Sequence, residues 1–303
     1  MPLAGYGGIE RICQDLLEEF IFNQVRGFDA DMYCTPKTVG SLPLKPYPEN
    51  AMQLDTGQDL VLDFTHQKLG KFTFDKKRYI AMCVLTDDLS NVNDVFQSKA
   101  VARGFGKPDG KVVYAGIQNR FHYSKDKGGY LLFFGKMTRI KRPDIAIMAA
   151  RRAQRTIVLA GTTGRWAGDA VYIDSLRAQA DGDRVRLVED PDEEKKIQLF
   201  AHADALIMPS QWSQLKPDLV ESFGLVAVEA LMSGLPVITS GDGGLSEIVT
   251  PQTGFVCTTL GDYARAIEDI PTIDPRECVA RGSEFTSAKL LDSFVAYWKE
   301  SQR

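Results

Sequence analysis

Glu221-Ser222-Phe223-Gly224-Leu225-Val226-Ala227-Val228-Glu229 is the stretch that decides how the chain is read. Two carboxylates stand either side of seven residues, and a glycine marks the point where a helix should begin. Pro209-Ser210 closes a strand run just before it, Gly234-Leu235-Pro236-Val237 ends the helix and opens another strand, and Gly243-Gly244-Leu245-Ser246-Glu247 follows. The pattern predicts a helix N-terminus near Phe223 to Leu225, whose N–H groups and positive dipole end suit an anion. Glu229 falls about one turn further in, where a carboxylate can accept hydrogen bonds from hydroxyls. Glu221 stands ahead of the helix, at its mouth. Two glutamates alone read as a solvated helix face. Joined to the glycine, the Pro-Ser strand end and the Gly-Gly turn, they read as a pocket for a nucleotide carrying a sugar.

Around this stretch, strand and helix patterns alternate regularly. Strand runs are predicted over 130–135, 156–161, 185–190, 205–210, 236–241 and 254–257, with helices over 142–153, 169–180 and 192–203 between them. Short apolar strands with helical crossovers imply a parallel sheet covered on both faces. The first strand delivers Gly135-Lys136-Met137-Thr138-Arg139-Ile140-Lys141-Arg142-Pro143. Pro143 suits the first turn of a helix. Lys136, Arg139, Lys141 and Arg142 place four cations at one strand mouth, and a phosphate role is expected for some of them. Gly161-Thr162-Thr163-Gly164 ends the next strand, within reach of a nucleotide there. Asp190-Pro-Asp-Glu-Glu-Lys-Lys is acidic at a helix start and basic further on, which capping and dipole complementarity explain without a metal.

The first half reads less directly. Gly5-Tyr6-Gly7-Gly8 leads into a helix with Ile9, Ile12, Leu16 and Phe20 at helical spacing through about Val25. A G-x-G-x-x-G dinucleotide fingerprint fails, because Glu10 stands where the third glycine belongs and no strand precedes the loop. A short strand is expected over 29–34, and a proline-rich loop over 35–58. Leu60–Phe64 reads as a buried strand that presents His66 at its C-terminal end, where ligands bind in doubly wound sheets. A lone histidine there is as readily a structural hydrogen-bonder as a functional group. Lys68, Lys71, Lys76, Lys77 and Arg78 form a basic stretch opposed only by Asp75: a solvated loop, or a surface for an anionic acceptor or lipid. A strand over 79–85, a helix opening at Lys99 and a last strand over Lys111–Ile117 complete this half. Polar, glycine-ended 122–129 reads as a linker. Residues 287–302 predict a final amphipathic helix with Leu290, Leu291, Phe294, Val295 and Trp298 on one face.

Bulk properties restrict the function classes. The 303 residues suffice for two domains. A net charge of −4 leaves no electrostatic footprint for nucleic acid. No apolar run is long enough to span a bilayer. Five dispersed cysteines and three dispersed histidines show neither a disulfide frame nor metal-ligand spacing, which points to reduced thiols and a cytoplasmic protein.

Glu221 to Glu229 and the run Gly224-Leu-Val-Ala-Val-Glu-Ala-Leu-Met-Ser-Gly-Leu-Pro-Val-Ile238 resemble the E-x7-E region of retaining glycosyltransferases of family 4, dense in the C-terminal half and thin in the N-terminal half. The resemblance implies an α/β GT-B fold: two Rossmann-like domains facing across a cleft. The expected domains are an acceptor-side domain over 1–122, shortened and without its first strand, a nucleotide-sugar domain over 129–286, and a helix over 287–303 packing back on the first. It further implies that Lys136, Lys141, Gly7, Gly8 and the backbone of Phe223, Gly224 and Leu225 face the donor diphosphate. Glu229 would hold the ribose, Glu221 the donor sugar, and His66 the sugar or acceptor; Glu221, Lys141 and His66 are the catalytic candidates. The family pattern has arginine where this chain has Lys136, which keeps the charge and loses the planar grip. The link 211–220 is longer than usual and falls where the donor sugar would lie. The implied substrates are a UDP-, GDP- or ADP-sugar and a hydroxyl acceptor, with no cofactor and no metal. The rival expectations are a donor-fold binding protein without turnover and a GT-B sugar-nucleotide epimerase. A dinucleotide-dependent oxidoreductase shares the domain type but lacks its fingerprint here.

Overall fold

The computed structural model describes residues 8–22, 32–34, 44–46, 61–64, 79–83, 93–164, 169–211 and 220–303. The chain divides into two compact units, Met1–Gln118 with Phe285–Arg303, and Asn119–Glu284.

In the first unit, α1 (Gly8–Phe22) buries Ile12, Leu16 and Leu17 on one face, as its spacing predicts. β1 (Met32–Cys34) pairs in parallel with β2 (Leu44–Pro46). β3 (Val61–Asp63), β4 (Tyr79–Cys83) and β5 (Asn93–Phe96) form a second parallel sheet in that order. Ser98 then caps α2 (Lys99–Gly104), accepting the Val101 N–H at 3.1 Å.

The expected strand over Lys111–Ile117 does not form. Among the described residues this segment makes two isolated bridges, Phe96 with Val112 and Ile117 with Thr286. Phe96 exchanges hydrogen bonds with Lys111 and Val113 at 2.9 Å. β5 ends at Phe96 and gives way to the Ser98 cap, so its pairing with this segment does not continue past that bridge. The segment turns instead to the start of the last helix, where Gly116 lies so close that a Cβ would meet the Thr286 carbonyl at 2.3 Å.

The second unit is built on a six-stranded parallel sheet: β6 (Tyr130–Phe134), β7 (Thr156–Gly161), β8 (Val185–Glu189), β9 (Ala205–Met208), β10 (Val237–Thr239) and β11 (Gly254–Val256). The spatial order is β11-β10-β9-β6-β7-β8. The helices are α3 (Pro143–Arg152), α4 (Ala170–Arg177), α5 (Glu193–His202), α6 (Leu225–Met232), α7 (Leu245–Ile248), α8 (Leu260–Glu268) and α9 (Pro275–Gly282). Leu131, Phe133, Ile147, Leu159, Ile207 and Ile267 are fully enclosed in the core. Gly282 lets α9 approach α6, since a Cβ there would meet the Met232 nitrogen at 2.6 Å.

This strand order fixes where a ligand can bind. From β6 the chain runs outward to β7 and β8, then α5 carries it back across to β9 on the other side of β6. The loops after β6 and β9 therefore diverge at a topological switch point, the place where open parallel sheets form a crevice beyond their C-terminal strand ends. The chain ends in α10 (Ser287–Ser301), which belongs to the first unit and donates from the Ser287 hydroxyl to Glu19 of α1 at 3.0 Å.

Candidate functional site

The two loops at the switch point are held to each other. The Gln211 N–H, just after β9, donates to the Ile140 carbonyl of the loop after β6 at 2.8 Å. The Arg142 guanidinium donates to the Gln211 side chain, and the Lys141 ammonium pairs with the Glu221 carboxylate. Residues predicted separately from two sequence regions therefore meet at one point.

The loop after β6 owes its course to close backbone contacts. A Cβ on Gly161 would fall 1.8 Å from the Gly135 carbonyl, so only glycine allows the ends of β6 and β7 to approach this closely. The Met137 N–H then donates to Thr162 at 3.1 Å. Arg142 precedes Pro143 and adopts φ 54°, ψ 50°, a conformation L-residues rarely occupy. A following proline disfavours the right-handed region, and three hydrogen bonds to the Asp144 carboxylate at 2.8–3.2 Å hold the arginine where it is. Burial pulls the Asp144 carboxyl up, but hydrogen bonds from Arg142 and Tyr172 outweigh it and leave the group below its ordinary range. The Tyr172 hydroxyl donates to Asp144 at 2.6 Å, and Arg139 lies 4.6 Å over the Tyr172 ring while pairing with Asp169.

The loop after β9 ends at an open helix start. Gly224 is the residue preceding α6 and has φ 102°, and a Cβ there would lie 2.5 Å from Leu245. It has no side chain with which to cap the first turn, so the helix presents its N–H groups and dipole to whatever occupies the crevice. Gly243 and Gly244 pack directly behind: the Gly244 N–H donates to the Glu221 carbonyl at 2.7 Å, and a Cβ on Gly243 would come within 2.2 Å of the same oxygen. Phe223 is buried, so only its backbone can face a ligand.

Glu229, one turn into α6, is buried, and its carboxylate pairs with the Lys196 ammonium at 2.5 Å. Sequence reasoning missed Lys196. The run 190–196 reads from sequence as a helix start explained by capping and dipole complementarity. Asp192 does cap α5, accepting the Lys195 N–H at 2.7 Å, but Lys196 turns inward. The signal was its spacing: Lys196 shares the buried stripe with Leu199 and Phe200, three and four positions on.

The four cations divide. Lys141 reaches Glu221, Arg139 and Arg142 are held by Asp169 and Asp144, and Lys136 is exposed at the loop's first turn. At the end of β7, the Thr163 hydroxyl donates to Glu189 at 2.6 Å. Gly8 begins α1. Gly7, His66, the basic stretch 68–78 and most of the link 211–220 lie outside the described residues. Among the described residues, no helix is long and apolar enough to cross a membrane.

The family model Glycosyl transferases group 1 matches residues 117–276, slightly more than half of the chain. Glycogen synthase of Mycobacterium tuberculosis is 35% identical over 167 residues, which cover 52% of this chain and 38% of that protein. AviGT4, a glycosyltransferase involved in avilamycin A biosynthesis, superposes with a TM-score of 0.79 at 22% identity over 97% of this chain and 90% of that one. HepE of Anabaena, solved with UDP and glucose, superposes with a TM-score of 0.57 at 18% identity over 73% of this chain and 71% of that one. At this identity the superpositions establish the fold, that of GT-B glycosyltransferases, and the chain spans well under half the length of the glycogen synthase it matches.

Proposed function

The chain belongs to the family Glycosyl transferases group 1, and from that premise we propose that it is a retaining glycosyltransferase moving a hexose from a nucleoside-diphosphate sugar to a hydroxyl acceptor. The observation that carries this reading is the meeting, at one switch point, of Lys141, Glu221 and the uncapped start of α6.

Breaking the bond between sugar and diphosphate leaves negative charge on the phosphate and positive charge at the anomeric carbon. Lys141, Lys136 and the N–H groups of α6 stabilise the first as preorganised electrostatics, and Glu221 stabilises the second. The Lys141–Glu221 pair holds both side chains at the mouth before a donor arrives. Glu229 accepts from the ribose hydroxyls. Gly7 and Gly8 are the phosphate-facing candidates of the first half, and His66 is the candidate that orients the sugar or acceptor. Residues 1–122 form the acceptor-side domain. The leaving phosphate serves as base in the retaining step, so no protein base and no cofactor is required. UDP is the first nucleotide to try, because HepE was solved with it. The dispersed thiols support a cytoplasmic place, and the basic stretch 68–78 supports contact with anionic lipid or an anionic acceptor.

A panel of UDP-, GDP- and ADP-sugars, scored for thermal shift and for slow release of nucleoside diphosphate, tests the reading. A bound donor raises the melting temperature in proportion to occupancy. The expected result is stabilisation by one nucleotide class with slow release that Glu221→Ala abolishes. Stabilisation without release, even with acceptors added, would convert the protein to a donor-binding one. No response to any donor would sink the proposal.

A further inference from the structure

Nothing in the E-x7-E reading calls for Lys196, yet it is among the few charged side chains buried in the second unit. Its side chain is 3% exposed and that of Glu229 5%. The ammonium lies within 5.1–5.9 Å of the ring centroids of Phe121, Phe134 and Phe200. These rings come from the segment before β6, from the last residue of β6 and from α5 itself, so the lysine lies near the C-terminal end of β6.

Stability alone does not account for such a pair. Desolvating two charges commonly costs more than their attraction returns, and a packed apolar pair of similar volume serves a core as well or better. The pair does confer two other properties. The ammonium supplies a counter-charge to the buried carboxylate at 2.5 Å. A carboxylate also offers about four lone-pair sites, more than one ammonium can use, so fixing one oxygen orients the group for further donors. The aromatic faces favour the cation and exclude water from it.

We propose that Lys196 is a positioning residue for nucleotide recognition: it holds the Glu229 carboxylate in one orientation, so that it accepts from the vicinal hydroxyls of the donor ribose. This rests on the donor-site reading above. A purely structural lysine would affect all nucleotides alike. A positioning lysine affects only the discrimination conferred by the ribose hydroxyls.

The test is calorimetric titration of the full chain with UDP, GDP and ADP, each beside its 2′,3′-dideoxy counterpart. The wild type should prefer the ribonucleotide by about tenfold or more, the size of one good hydrogen-bonding interaction. Lys196→Met, which fills the volume with an apolar chain, should bring the ratio to within about twofold, as Glu229→Gln should. Combining the two should lower the ratio no further, as expected for residues acting as a unit. Should Lys196→Met fail to fold, Lys196→Gln, which keeps a hydrogen-bond donor but not the charge, should still lose most of the discrimination. A wild-type ratio in the folded Lys196 variants, together with a lost ratio in Glu229→Gln, overturns this inference alone. A wild type that binds none of the nucleotides, or a Glu229→Gln that keeps the ratio, overturns the donor-site reading and this inference with it.

Discussion

The two glutamates of one nine-residue stretch end in opposite surroundings. Glu221 meets Lys141 at the mouth of the crevice, with side-chain exposures of 12% and 19%. Glu229 meets Lys196 inside, with 5% and 3%. Each lysine comes from a different element, one from the loop after β6 and one from the crossover helix α5. The outer pair is partly open to water, and under the proposed reading its partners can exchange as charge develops on a substrate. The inner pair is almost enclosed, with the lysine lying among three aromatic rings. One sequence motif thus supplies two carboxylates in different surroundings, and the proposed function gives the outer one the changing charge of a reaction and the inner one recognition.

The largest contrast expected between the pairs is in stability. Removing one partner of a buried ion pair leaves an uncompensated charge, so Lys196→Ala should lower the unfolding free energy by about 3–5 kcal/mol. Lys141→Ala, at the wetter pair, should cost about 1 kcal/mol or less. Urea titration of both variants checks this, and equal losses would erase the distinction between inside and mouth.

A smaller effect tests the exposed rim for comparison. Hydrogen bonds from Arg177, then from Thr163, hold the Glu189 carboxyl down to about 2 from 4.5. A folded-state pKa below the unfolded one gives stabilisation that is complete above pH 4.5 and is lost as the pH falls toward 2. Glu189→Gln should lower stability slightly at neutral pH, flatten the acid limb of the melting curve in that window and converge with the wild type near pH 2. An identical acid limb in the variant would show that this contact contributes nothing.

Much of the second unit was legible because short apolar runs such as Tyr130–Phe134 and Thr156–Gly161 are bounded by glycines whose close backbone approaches are local consequences of sequence. The helix start at Gly224 was legible for the same reason. What escaped depends on partners distant in sequence. Nothing near Arg139 announces that Asp169, thirty residues on, will claim it, whereas Arg142 is held mainly by Asp144, only two residues away. Lys196 was hidden by its neighbours, because a run of Glu and Lys reads as a solvated helix face until the stripe with Leu199 and Phe200 is drawn. The Val112-Val113 pair has strand propensity, yet β5 ends at Phe96 and leaves it a single bridge. In each case local preference yielded to the availability of a tertiary partner.

The central claim is that the outer carboxylate serves the transition state and the inner one serves binding. The measurement that tests it most directly is single-turnover cleavage of the donor found in the nucleotide-sugar panel, run beside its equilibrium dissociation constant, for Glu221→Gln and Glu229→Gln. The account predicts that Glu221→Gln slows cleavage by about 100- to 1,000-fold, the effect of losing one preorganised electrostatic group, with the dissociation constant within a few-fold of wild type. Glu229→Gln should weaken binding by about tenfold or more and leave the rate at saturation close to normal. The reverse pattern, or equal losses in both quantities for both variants, would contradict the account.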